Sequence, residues 1–168
     1  MEILLNSKRF GQVVLIIDDI DADLLKKCGA SIHKSSTSLY ARCTRGIYNG
    51  KMLHNVLMNP KKGQQVDHIN HNTLDNRRQN LRLCSVKQNC MNRRKRKNCT
   101  SKVKGVYKKV EVVKNKEYVY YQARLTVNGK DTSIGYFKSE IDAAKAYDAV
   151  CKKEHGEFAK LNFPEEKI

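Results

Sequence analysis

The chain has 168 residues, enough for one ordinary domain or two small modules. Its 33 Lys and Arg against 17 Asp and Glu give a formal charge of +16, a field beyond what solubility needs that attracts polyanions and makes nucleic acid the first partner to test. No basic amphipathic helix with a wide apolar face is present and no apolar run approaches the roughly 20 residues of a membrane span, so no membrane partner is expected.

The start, Met1-Glu-Ile-Leu-Leu-Asn-Ser-Lys-Arg, lacks the basic opening and long apolar centre of a secretory signal, and an intracellular protein is expected. Six cysteines, Cys28, Cys43, Cys84, Cys90, Cys99 and Cys151, form no C-x-x-C pair, so free thiols are expected rather than disulfides or a zinc staple. Residues 2–5 and 12–17 are short β-branched apolar runs that read as strands. From Asp18 to Gly29, acids at the start, Lys26 and Lys27 near the end and the closing glycine mark a brief helix. Its acids lack the ligand spacing of a calcium loop. Ser38 to Arg45 alternates polar with apolar residues, and Asn49-Gly50 is a hairpin-type turn signal before Lys51 to Met58. The N-terminal third therefore reads as a small β-rich module that supports the residues C-terminal to it.

Val66 to Arg82, V-D-H-I-N-H-N-T-L-D-N-R-R-Q-N-L-R, packs carboxylates, two histidines and several asparagines before turning basic. Ser85 to Asn92 reads as a helix. Between Asn76 and Val110 there is no acid, while 13 Lys and Arg occur, including Arg93, Arg94 and Arg96; the run lies between two patterned regions, which favours a DNA-tracking linker. From Lys104 onward three strands follow, with Asn128-Gly129 as a tight turn, and read as an antiparallel meander. Ser139 to Gly156 is a capped helix, with Ile141, Ala144, Tyr147 and Val150 or Cys151 on the face expected to cover one side of that sheet.

If Val66 to Ile69 is a strand and Ser85 onward a helix, Asp67, His68 and Asn89 can converge on one pocket. Carboxylate and amide oxygens are hard ligands suited to Mg2+ or Mn2+, which take only one or two protein groups and keep several waters. An imidazole beside them can take a proton from water, and base plus cation is what phosphodiester hydrolysis needs. Taken singly, each of these residues is as well explained by turn capping.

The V-D-H-I-N-x-N-x-x-D-N-R-R-x-N-L-R run, followed by S-x-x-x-N-x-x-N, resembles the HNH endonuclease motif of phage and intron-encoded homing enzymes with a ββα-metal fold. K-G-V-Y, Y-Q-A-R-L, N-G-K, I-G-Y-F, E-x-D-A-A-K-A-Y-D and H-G-E-F-A-K-L-N-F-P resemble the AP2 DNA-binding domain. The resemblances imply an α+β chain: an extension at 1–51, an HNH module at 52–92, a basic linker at 93–103 and an AP2-like sheet packed on one helix at 104–164. They imply His68 as general base, Asn80 as the residue orienting its ring, and Asp67 and Asn89 as ligands of one divalent ion. They further imply duplex DNA contacts from Lys104, Tyr107 and Lys109 on the first strand, Arg124 and Thr126 on the second and Ser133 on the third. Arg124 is the candidate for a guanine. His54 matches a histidine that precedes the motif and is expected to be packed; His71 stands where a turn glycine is usual, and histidine tolerates positive φ. The implied activity is nicking of DNA by a monomer with no obligate protein partner, encoded by a phage or mobile element in a bacterial host. The alternative is a non-catalytic DNA-binding regulator with a vestigial HNH module. An RNA-binding protein is less favoured, because the paired aromatics that stack single-stranded bases are missing.

Overall fold

A computed structural model describes residues 1–36, 38–92, 101–127 and 129–164. The chain is α+β and divides into two compact units, Met1–Asn89 and Cys90–Ile168. Among the described residues no helix is long and apolar enough to cross a membrane.

In the first unit, β1 (Glu2–Ser7) and β2 (Gly11–Ile16) pair antiparallel, and Leu15 and Ile17 carry the end of the hairpin into the core. A 3-10 turn at Asp19–Asp21 leads into α1 (Ala22–Cys28), which Gly29 closes at φ 57. A Cβ there would meet Thr44 Oγ1 at 2.5 Å, so no side chain fits. β3 (Ser31–Ser35) pairs with β4 (Ser38–Arg42). The hairpin expected at Asn49-Gly50 does not form: beyond an isolated Arg42–Met52 bridge the chain enters α2 (Leu53–Met58). Its buried residues Leu53, His54 and Leu57 lie at helical spacing, and Asn59 ends it in the left-handed region at φ 44.

β5 (Gln64–His68) and β6 (Leu81–Ser85) then pair antiparallel, and α3 (Val86–Met91) follows directly. One core gathers Leu15, Ile17, Cys28, Ala41 and Cys43 from residues 1–51 together with Leu53, Leu57 and Leu81 from residues 52–92. The two stretches, distinct in the sequence reading, share that core.

In the second unit, β7 (Val106–Val113), β8 (Lys116–Val127) and β9 (Lys130–Phe137) form a three-stranded antiparallel sheet in that order. Lys114 and Asn115, both at positive φ, make the tight first turn. α4 (Glu140–His155) starts at Ser139, whose Oγ accepts from the amides of Ile141 and Asp142. It buries Ala143, Ala144, Tyr147, Asp148 and Cys151 against Val106, Ala123 and Leu125. Ile141, expected in this stripe, lies at its edge and is 57% exposed. The Cβ missing from Gly105 would meet the Tyr147 ring at 2.0 Å, so the start of β7 requires glycine. Asp148 accepts the amides of Asn162 and Phe163, and Asn162 bonds both backbone groups of Lys104, tying the last described residues to the sheet's first strand.

Candidate active site

The end of β5 carries Asp67 and His68, both buried, and the loop from 69 to 80 wraps back over them before β6. His71 turns the chain at φ 61 and donates its amide to His68 O at 3.0 Å, so the substitution for glycine leaves the turn intact. Within the loop Asn70 Nδ2 donates to Asp75 Oδ2 at 2.8 Å, and Asp75 pairs with Arg77 at 2.7 Å. The Arg77 guanidinium holds the Asp75 carboxyl below the usual carboxylate range.

Asn80 was expected to orient the His68 ring, but its amide lies elsewhere. Its Oδ1 accepts from Asn70 N at 3.0 Å and its Nδ2 donates to Asp75 O at 2.7 Å, so it pins the loop. The amide that bears on the imidazole is that of Asn76, which is fully buried and has neither side-chain atom within hydrogen-bond geometry of a partner.

The N-terminal residues clamp the same loop. Ile16 N donates to Leu74 O at 2.9 Å and Asn76 N to Ile16 O at 2.7 Å. Arg78 pairs with Asp21 at 2.7 Å and donates its amide to Asp18. The support expected of the N-terminal third is thus a set of specific bonds to the loop over His68.

His68 packs edge to face on His54, with ring centroids 5.1 Å apart, and both rings contact Tyr40. Burial lowers the His68 pKa, opposed by the Asn76 amide and the carboxylates of Asp67 and Asp75. A lowered pKa keeps the ring neutral, as a proton acceptor requires. His54, buried beside it, is pushed down to about 4, first by burial and then by His68.

Asp67 faces its cross-strand partner Arg82, whose Nε and Nη2 donate to Oδ2 at 2.9 and 2.8 Å. Asn89 on α3 donates Nδ2 to Gln65 Oε1 at 2.7 Å. Gln65 and Asp67 share one face of β5, so that bond draws Asn89 to the Asp67 side of the strand. With its nitrogen engaged, the Asn89 amide offers its oxygen as acceptor. A carboxylate and an amide oxygen fit a Mg2+ or Mn2+ ion that completes its shell with water. The Arg82 charge on the same carboxylate opposes a cation there. Among the described residues no group of three or more His, Cys, Asp or Glu forms a protein-only metal cage.

In the second unit, alternation and register put Tyr107, Lys109, Arg124, Thr126 and Ser133 on the sheet face turned away from α4. A bulge between Ala123 and Arg124 sets Arg124 opposite Ser133. The Arg124 guanidinium lies 5.8 Å from the Tyr107 ring centroid and 3.3 Å from Asp131, which also accepts from Thr126 Oγ1 at 2.6 Å. Gln122 donates to Ser133 and Tyr136 at 3.1 Å each. The reading of single residues missed Asp131, Gln122 and Tyr136; the period-2 pattern through Arg124 and Thr126 was the available signal.

Lys104 does not join that face. Its Nζ donates to Met91 O at 2.8 Å and burial lowers its pKa, an internal bond where a DNA contact was expected. Arg93, Arg94 and Arg96 lie outside the described residues.

Residues 59–91 match the model of a family described as HNH endonuclease, a span that holds β5, the loop, β6 and α3. An uncharacterized HNH endonuclease of Acanthamoeba polyphaga mimivirus is 37% identical over 97 residues, covering 58% of this chain and 46% of the relative. The chain thus spans about half the length of the curated relative it matches. No solved structure matches. The family match falls on β5, the loop, β6 and α3, and the relative bears the same HNH endonuclease description.

Proposed function

We propose that the chain is a divalent-metal-dependent DNA endonuclease of homing type that nicks duplex DNA, guided by an AP2-like sheet. The observation that carries this reading is the buried His68, held neutral at the end of β5 beside Asp67, with Asn89 presented by α3 within the segment that matches the HNH family. His68 takes the proton of the attacking water. Asp67 and Asn89 would hold the ion, which would supply charge stabilisation at the phosphate and the departing oxygen. Asn76 lies against the base, and Asn80, Asp75 and the end of β2 hold the loop that carries it. Hydrolysis leaves a 5′-phosphate and a 3′-hydroxyl.

The sheet face with Arg124, Tyr107, Lys109, Thr126 and Ser133 enters the major groove, where Arg124 in a fork geometry suits a guanine. The net charge of +16 supplies the sequence-independent part of binding. One site on a monomer cuts one strand.

A supercoiled plasmid tests the reading. Wild-type protein should convert it to the nicked form with Mg2+ or Mn2+ and leave it intact in EDTA, while His68→Ala should lose cleavage and keep DNA affinity. Equal cleavage by His68→Ala refutes the role of the base. No metal-dependent nicking by the wild type favours the regulator, which the Arg82 contact on Asp67 would suit as a structural ion pair.

A further inference from the structure

His54 reaches from α2 into the core and meets His68 with ring planes at 84°. Tyr40 on β4 completes the group, 5.7 Å from His54 and 6.3 Å from His68. Two rings from two other elements, His54 on α2 and Tyr40 on β4, therefore set the plane of the His68 imidazole. Packing alone does not account for a histidine here. A buried nitrogen without a hydrogen bond costs on the order of 1–3 kcal/mol, and His54 Nδ1 is such an atom. A phenyl ring would fill the space without that loss, and unpaired polar atoms in a core call for a reason beyond packing. Burial also keeps His54 uncharged through the neutral range.

We propose that His54 is a positioning residue for the general base: its ring fixes the plane of the His68 imidazole, and its nitrogens set polar atoms beside that imidazole, the ring centroids being 5.1 Å apart. The proposal rests on the nuclease reading of this site and deepens it. His54 acts through His68 and not on DNA.

The test uses the full chain carrying His54→Phe, which keeps a ring without nitrogens, or His54→Leu, which keeps apolar volume without a ring. The readouts are single-turnover cleavage at saturating protein, affinity for the same duplex, and the proton–nitrogen NMR signals of the His68 imidazole in the free protein. Cleavage should fall about tenfold in His54→Phe and about a hundredfold in His54→Leu, the scale of a slightly misplaced catalytic group, with affinity within about twofold. The His68 signals should stay sharp in the first variant and broaden or split in the second. Wild-type rates in both, equal losses in both, or losses that track affinity overturn the proposal. If a thermal melt shows that His54→Leu does not fold, His54→Phe decides alone: a tenfold loss at unchanged affinity supports the brace and a wild-type rate overturns it. A wild-type chain that cleaves under no metal condition removes the nuclease reading instead. The His68 signals then still judge the brace, and unchanged signals in a folded His54→Leu overturn it.

Discussion

Asn80→Ala separates two roles for the central asparagine of the motif. The amide bonds Asn70 N and Asp75 O, and touches the imidazole with neither atom. Truncation leaves both partners unmatched. Asn70 is exposed and water can replace its bond, whereas Asp75 is 1% exposed and its carbonyl stays dry. An unsatisfied buried group costs about 1–3 kcal/mol, so with the lost loop contacts the variant should be about 2–4 kcal/mol less stable. For a unit of this size each kcal/mol lowers Tm by about 4–8 °C, which puts the drop at about 10 °C or more. The assay pairs a thermal melt with plasmid nicking well below the variant's Tm, where cleavage should persist within about tenfold of wild type because the base itself is untouched. A Tm within about 2 °C of wild type together with lost cleavage would refute the loop-pin role and restore Asn80 as the partner of the ring.

Burial of a neutral His54 couples stability to pH. The folded pKa is pushed down to about 4 against 6.5 for the ordinary group, so the unfolded chain binds more protons between those values. Stability is full above about 6.5 and is lost as pH falls toward 4, by on the order of 3 kcal/mol from this group. Denaturant midpoints of the wild type and His54→Phe across that range should diverge in acid, the wild type losing stability that His54→Phe keeps, and parallel curves would reject the coupling. In the second unit, Lys109→Ala should lower the salt slope of DNA binding by about one while Lys104→Met leaves it unchanged, because Lys104 Nζ is held by Met91 O. An equal drop in slope for both would place Lys104 on phosphate.

The strands of the second unit and α4 were legible because each carries a local signature: β-branched and aromatic runs, a tight turn, a serine cap and a closing glycine. α2 was not, since six residues hold less than two helical turns and Asn49-Gly50 imitates a hairpin turn just before them. β3 has only one apolar residue, Ile32, so its strand is set by register with β4 rather than by alternation. The candidate site residues stand out in the sequence as types and spacing. The direction of each amide was not, because Asn80 and Asn76 sit in one loop and only the loop's bonds to Ile16, Asn70 and Asp75 decide which of them faces His68. Lys104 ahead of a strand likewise reads as a phosphate contact until Met91, 13 residues away, takes its ammonium.

The same bonds make the N-terminal residues part of the structure that holds the loop and ring of His68. Without residues 1–51 the loop over His68 loses the Ile16 bonds on both sides, the Asp18 and Asp21 contacts of Arg78, and the Tyr40 wall of the imidazole. Leu53, Leu57 and Leu81 would lose their core partners Leu15, Ile17, Cys28, Ala41 and Cys43. Exposing a buried leucine costs roughly 1.5–3 kcal/mol, so three of them amount to about 5–9 kcal/mol, as much as a whole domain's usual margin of stability. A fragment spanning 52–168 should therefore keep a dispersed NMR spectrum for the second unit alone, with His68 and Asn80 at unfolded shifts, and should bind DNA without nicking it. Metal-dependent nicking by that fragment at the full-length rate would mean that the motif folds and orients its base without the clamp, and would overturn the supporting role of β2 and β4.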